Sequence, residues 1–382
     1  MVTFIGTDLD NTVSSAAFDR WYGLGGNDML TSTSPGGFTY MEGGSGDDNL
    51  ISSTPGFTYM QGGLGHDRLS ADGSNSELYG GGGNDLILGP GGATQSYMYG
   101  GTGNDRINGF GSFGDYLDGD QGEDRLDGGS GDDTLLGGDG FDNQLVNFTV
   151  GPGFSNPLTG GLFGNGGNDY LDGGNGNDFL DGGTGSDVLV GGTGNDTLNG
   201  GANDDLIYSS FRSGSTVGSA DAASTGNGGS GNDRLIANGK DTMFGGAGDD
   251  LLYATTSNIA TFYGDEGADT LIGRYSGDIL IGGADNDVLI GNGGNDYLLG
   301  GTGSDYFDFR SDIEPGVFDY IGDFNIGGAA DTLVIPAAFQ AATIFYQYGS
   351  ATLVITTLGS GAWYGYVENA VAAQVQAQTY FG

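Results

Sequence analysis

The chain of 382 residues has no cysteine, one histidine, seven prolines and nine Lys plus Arg against 50 Asp plus Glu. Without cysteine there is no disulfide framework and no thiol chemistry. The lone histidine, His66, cannot make the paired-histidine zinc motif H-E-x-x-H, and no G-x-S-x-G is present for a hydrolase nucleophile elbow. His66 is read as a solvated turn residue. The only lysine, Lys240, sits in "NGKD" without the glycine spacing of a phosphate-binding loop. No apolar run approaches a membrane span. The first basic residue is Arg20, so no charged leader precedes an apolar stretch and no cleavable secretory signal is expected. A net charge of −41 disfavours nucleic acid and anionic lipid as partners, and it implies self-repulsion unless cations are bound.

Glutamate is scarce too: six of the 50 acids, at positions 42, 77, 123, 266, 314 and 368, so 44 are Asp. A generic solvated face uses Glu freely, whereas turns and hard-cation loops favour the shorter side chain. The 84 glycines accompany those aspartates. Together they form a repeat, G-G-x-G-x-D-x-U-x with U a large apolar residue, as in "GGSGDDTLL" (128–136), "GGTGNDTLN" (191–199) and "GGSGNDRLI" (228–236). Repeats of this kind build solenoids.

The position-six aspartates mark the register. They are Asp28, Asp48, Asp67, Asp85 and Asp105, then Asp115, Asp124, Asp133 and Asp142, then Asp169, Asp178, Asp187, Asp196 and Asp205. Asp233, Asp250, Asp269, Asp278, Asp287, Asp296 and Asp305 complete the set. Gaps between the runs are close to multiples of nine. The stretches 31–42, 51–61, 143–168, 206–232 and 254–263 are therefore expected to be turns of the same coil that have lost their Asp. In the N-terminal quarter the edge without Asp reads "SPGGFTYM" and "TPGFTYM", which fits turns that close without metal or a lateral contact face.

A six-residue turn and a three-residue strand make one unit, and two units make a coil of about 18 residues with strands stacked roughly 4.8 Å apart. The U residues face inward. Asp residues one coil apart stack on one edge, and a hard divalent cation between them turns repulsion into adhesion; all-oxygen ligation points to Ca²⁺. The expected fold is all-β: a right-handed parallel β-roll solenoid of about 17 coils over 1–308, capped by a small β-rich domain over 309–382. Pairing Asp positions 17 to 20 apart gives about fifteen sites. One edge holds Asp28 to Asp142, Asp178/Asp196 and Asp233 to Asp305; the other holds Asp115/Asp133, Asp169/Asp187/Asp205 and Asp278/Asp296.

These nonapeptides resemble the RTX (repeats-in-toxin, haemolysin-type) calcium-binding parallel β-roll, over roughly 6–308. The resemblance implies Ca²⁺ held between paired turns by the position-six Asp and by turn carbonyls. The tail, with "DYIGDF" and strand-like "DTLVIPAAF", "ATLVITT" and "WYGYV", resembles the uncleaved C-terminal region of RTX proteins exported by type I secretion machinery. That implies an extracellular or cell-surface protein, unfolded at low cytosolic calcium and folded outside.

With no catalytic constellation apparent, the expected role is a secreted calcium-dependent structural protein, not an enzyme: a filament, sheath or surface-layer subunit resembling oscillin-type surface fibril proteins. Its expected partner is itself, by head-to-tail or lateral contacts, with cell-surface polysaccharide as a further candidate. The alternative is a calcium-dependent adhesin or carbohydrate-binding module. An ice-binding face needs a regular outward Thr/Asn array, and the third turn position is irregular (Gly25, Ser45, Leu64, Gly82, Thr102).

Overall fold

Alternating burial makes the strands: in Asn49–Ser52 and Arg68–Ala71 every second residue is buried, the period of a sheet with one face in a core. A computed structural model describes residues 3–15, 20–33, 38–72, 75–90, 95–111, 114–130, 132–139, 145–150, 154–159, 161–210, 223–309, 318–324, 330–335, 344–348, 351–358, 361–367 and 379–381. The fold is an all-β parallel solenoid, with no helix among the described residues. The chain divides into two compact units, Met1–Thr197 and Leu198–Gly382.

In the first unit, consecutive strands lie alternately in two parallel sheets. One sheet lines up Trp21, Met41, Met60, Leu78, Met98, Leu117, Leu135, Leu171 and Leu189 in register. The other lines up Leu30, Leu50, Leu69, Ile87, Ile107, Leu126, Leu162 and Leu180. All of these are 0% exposed. The U column is thus a continuous apolar file, each side chain contributing on the order of 2 kcal/mol by leaving water.

The N-terminal edge without Asp closes through buried hydroxyls. Ser52 and Thr54 lie 2.8 Å apart, Ser52 and Thr58 3.2 Å, Thr39 and Thr54 3.3 Å, and Ser32 and Thr39 3.4 Å. These turns need no cation to satisfy their polar atoms. The coils expected at 31–42 and 51–61 are present as Phe38–Ser45 and Phe57–Leu64.

The gap 143–168 is different. Leu145–Val150 pairs antiparallel with Phe154–Thr159, while Leu135 runs directly beside Leu171 and Leu126 beside Leu162. The expectation of an Asp-less coil holds for Gly161–Gly166, a strand paired with the coils on both sides, and is corrected for Leu145–Val150 and Phe154–Thr159, which form a hairpin inserted between successive coils.

In the second unit, one sheet stacks Ile207, Leu235, Leu252, Leu271, Leu289, Phe307 and Leu333. The other stacks Met243, Phe262, Leu280, Leu298 and Ile321. The gap 206–232 is spanned by one enlarged coil, since Leu206–Tyr208 pairs directly with Arg234–Ala237. The two longest gaps therefore add no extra coils, and the solenoid has about 14 turns rather than about 17. The coil at 254–263 is present, with Thr261–Glu266 between Thr242–Ala247 and Ile279–Ala284. Towards the C-terminus, Thr332–Ile335 and Thr379–Phe381 extend one sheet in parallel. Gly361–Val367 extends the other and carries Ala351–Leu358 and Ile344–Tyr348 antiparallel.

Candidate metal centre

Each position-six Asp follows a glycine turn and opens a strand, so its side chain folds back under the turn. In the first unit the Oδ1 of each accepts the backbone NH of its counterpart one coil earlier. Asn11 donates to Asp28 at 2.6 Å, and Asp28 to Asp48, Asp48 to Asp67, Asp67 to Asp85, Asp85 to Asp105 and Asp105 to Asp124, each at 2.7 Å. The opposite edge runs Ser96 to Asp115, Asp133, Asp169 and Asp187 at 2.6–2.8 Å, and Asp178 donates to Asp196 at 3.0 Å.

The second unit repeats the pattern. Asp205, Asp233, Asp250, Asp269, Asp287 and Asp305 form one row at 2.7–3.1 Å, ending on Asp331 at 3.0 Å. Asp278 donates to Asp296 at 2.7 Å and Asp296 to Asp319 at 2.8 Å.

Twenty of the 21 aspartates expected as ligands thus stand in these rows; Asp142 lies outside the described residues. The pairing changes in two places. Asp169 stacks on Asp133 across 36 residues, and Asp205 shares a row with Asp233 across 28. Beyond Asp124 the neighbouring coil begins at Gly161, whose NH reaches the Asp124 carbonyl at 3.2 Å, and Gly161–Gly166 is the strand beside Arg125–Ser130. Asp241, Asp319 and Asp331 escaped the repeat search because they lack the glycine turn. All three keep the D-x-U beat, in "DTMF", "DYIG" and "DTLV".

The second carboxylate oxygen carries the chemistry. In Asp28, Asp48, Asp67, Asp85, Asp105, Asp115, Asp133, Asp169, Asp233, Asp250, Asp269, Asp287 and Asp296 the Oδ2 is buried with no hydrogen-bond partner. Buried polar atoms are normally satisfied, so the same orphan on thirteen aspartates calls for a ligand. It does not sit alone. A Cβ built on Gly43 would strike both the Oδ2 of Asp48 and the carbonyl oxygen of Gly62 one coil on, and the same holds at Gly62, Gly228 and Gly245. Glycine there keeps open a small space faced by oxygens from two coils.

Burial costs these carboxylates their charge. Desolvation pushes Asp48 up to about 7, Asp67 and Asp296 to about 8, and Asp105 to about 9, the neighbouring carboxylates of Asp124 and Asp85 adding to the last. A divalent cation at the orphan oxygens reverses that tendency. Among the described residues no three His, Asp or Glu side chains converge. A cation here is therefore held by one or two carboxylates together with glycine carbonyls, an all-oxygen set that suits Ca²⁺.

A second, outer row of opposite sense was not foreseen. The position-five side chain accepts the NH of position five one coil later: Asn27 from Asp47 at 3.0 Å, Asp47 from His66 at 2.9 Å, Asn84 from Asn104 at 2.9 Å and Asn168 from Ser186 at 2.8 Å. The frequent Asn and Asp at that position were its signal.

The sequence model of the RTX calcium-binding nonapeptide repeat (four copies) matches residues 61–95, 90–112, 110–143, 162–189, 181–211, 222–254, 261–274 and 272–307. No curated protein matches the chain. Among solved structures, the extracellular lipase LipA from Serratia marcescens is similar at 16% identity, with a TM-score of 0.16. That match covers 78% of this chain and 40% of the lipase chain, so the present chain spans less than half of that protein.

Proposed function

From the premise that this chain belongs to the family of RTX calcium-binding nonapeptide repeats, we propose that it is a secreted structural protein whose roll folds on calcium. Proteins of this family bind Ca²⁺ through their repeats and are typically secreted. The carrying observation is the orphaned Oδ2 repeated from coil to coil. Asp28 to Asp124, Asp115 to Asp187, and Asp205 to Asp305 would hold the ions with the glycine carbonyls beside them. Bound calcium supplies the positive charge that lets buried carboxylates ionise in a chain at −41. The protein's own part is to place the oxygens, keep the space open with glycine and tie each turn to both neighbours.

The role is structural rather than catalytic: copies meet through the first unit and build a filament, sheath or surface layer. A tyrosine stack supports that contact. Tyr22, Tyr40, Tyr59, Tyr79, Tyr99 and Tyr116 run ring to ring at 5.6, 5.0, 5.4, 4.8 and 5.6 Å on the outer face of one sheet. Exposed Phe38 and Tyr97 flank it. Such a face attracts a second apolar surface where charge elsewhere repels.

Circular dichroism during a calcium titration, followed by light scattering and electron microscopy, tests both parts. Full β-structure in metal-stripped protein at pH 7.5 would overturn the calcium dependence. Monodisperse monomers at millimolar calcium and high protein concentration would overturn the assembly.

A further inference from the structure

On one edge of the second unit the aspartate row is interrupted. Asp241 is followed one coil on by Ala260 and then by Asp278, since Thr261 donates to the Asp241 carbonyl at 2.9 Å and Ala260 to the Asp278 Oδ1 at 2.8 Å. The carboxylates flanking the break are satisfied by protein donors. Asp241 Oδ2 accepts from Ser209 Oγ at 2.7 Å and from the NH groups of Asn238 and Gly239 at 2.9 and 2.8 Å, while its Oδ1 takes the Ser224 NH at 2.9 Å. Asp278 Oδ2 takes the Arg274 NH at 2.8 Å. No orphaned oxygen is left at either residue to attract a cation.

Beside this break lies a cavity of about 330 Å³ lined by Ile272, Gly273, Arg274, Tyr275 and Asn292 among others. That volume is at the small end of ligand sites, roughly 300–1,000 Å³, and it admits a sugar ring. The Arg274 guanidinium carbon stands 5.2 Å from the Tyr275 ring centroid, and Tyr275 is 62% exposed. The Asn292 amide donates to the Gly273 carbonyl at 2.9 Å, which joins two adjacent coils into one wall. The cavity therefore presents a guanidinium fork, an aromatic surface and backbone, on an edge where the oxygens of Asp241 and Asp278 already have protein donors.

We propose that this cavity binds a uronic acid saccharide, with Arg274 on the carboxylate and Tyr275 against the apolar side of the sugar. A guanidinium matches a carboxylate bidentately, and in a chain at −41 an arginine facing a cavity is the group that selects an anion. The site lies beside Asp278, whose own oxygens are satisfied by protein donors, and does not depend on assembly.

Isothermal titration of the calcium-loaded full chain with tetragalacturonate tests it. The expected result is saturable binding that weakens roughly tenfold in Arg274→Gln, the loss of one charge-assisted pair. Calcium alone can bridge uronates, so calcium is held constant, and unchanged affinity in R274Q would overturn the site. Equal binding of cellotetraose would overturn the anionic class, and equal binding of acetate, a carboxylate that barely chelates calcium, would overturn the saccharide. R274Q keeps the backbone NH on Asp278, and its dichroism and calcium stoichiometry check the fold. Should it not fold, Tyr275→Ala serves: it is expected to weaken tetragalacturonate while leaving acetate unaffected, and unaffected tetragalacturonate binding would overturn the proposal.

Discussion

The Nδ1 of His66 accepts the backbone NH of Asn84 at 2.7 Å, one coil away. The only histidine is thus a rung of the outer row rather than a merely solvated turn residue: its own NH goes to Asp47 Oδ1 at 2.9 Å. A side-chain acceptor two or three bonds from Cβ is what position five requires, and imidazole provides it as asparagine does elsewhere.

His66→Asn is expected to be nearly neutral and His66→Ala to lower stability by about 1 kcal/mol, the worth of one hydrogen bond. Thermal melts in saturating calcium measure both. Equal melting temperatures for H66A and H66N would remove the outer row from the list of stabilising contacts.

The inner rows give a stoichiometric contrast. Asp250 sits between Asp233 and Asp269 with its Oδ2 orphaned, whereas Asp241 is held by four protein donors. Asp250→Asn is expected to lose calcium from both spaces it adjoins, and Asp241→Asn to keep the full complement. Metal analysis of dialysed protein counts the ions; a full count in D250N would contradict the assignment of the row.

Much of this was legible in the sequence, for a physical reason. A nine-residue unit whose glycines, Asp and U residue each have one geometric task leaves a trace at every position, so the class of fold, the inward U column and twenty aspartate positions followed from spacing. The misreadings share one cause: a coil closes by proximity, not by residue count. The 27 residues from Asp142 to Asp169 are a multiple of nine, yet Leu145–Val150 and Phe154–Thr159 leave the coil as a hairpin. Asp205 meets Asp233 across 28 residues because the enlarged coil still returns to register. Asp319 and Asp331 extend the rows without glycine turns, and only strand pairing reveals them.

Glycine at position one is sterically fixed. A Cβ on Gly43 would meet Asp48 Oδ2 and the Gly62 carbonyl, whereas on Gly82 its nearest neighbour is Thr102 Oγ1 at 3.2 Å. Gly43→Ala is expected to cost about 2–4 kcal/mol, in the range of severe local strain, and to weaken calcium binding. Gly82→Ala should be tolerated. Calcium-dependent chemical denaturation compares them, and a fully stable G43A would show that the space between the oxygens is not used.

The pH response of the metal-free chain has a definite sign. Burial raises Asp48 to about 7, Asp67 to about 8 and Asp287 to about 8, from about 3.8 in an unfolded chain. The folded state then binds more protons, so its stability is greatest below about pH 4 and falls as pH rises from there through about 7 to 8. Protein stripped of calcium on a chelating resin should therefore gain β-structure when acidified from pH 8 to pH 5. Calcium-loaded protein should change far less, because the ion replaces the protons. Dichroism at low concentration follows both, and β-content in the stripped protein that fell on acidification would show that the buried carboxylates do not govern folding.

The hairpin of Leu145–Val150 and Phe154–Thr159 lies outside the rows it interrupts. On either side of it the coils already touch: Asp133 donates to Asp169 at 2.6 Å, Tyr170 to the Asp133 carbonyl at 2.8 Å, and Leu135 stands beside Leu171. Replacing residues 143–160 by a short glycine-serine linker removes none of these contacts, and loop length itself costs little, about 0.6 kcal/mol per doubling. The shortened chain is therefore expected to keep the calcium midpoint and stoichiometry of the parent, with melting changed by no more than a few degrees. Loss of the calcium-induced β-signal would mean that the hairpin is needed to bring Asp133 and Asp169 together. Retention would mark it as a free insertion point on a roll held by its own rows.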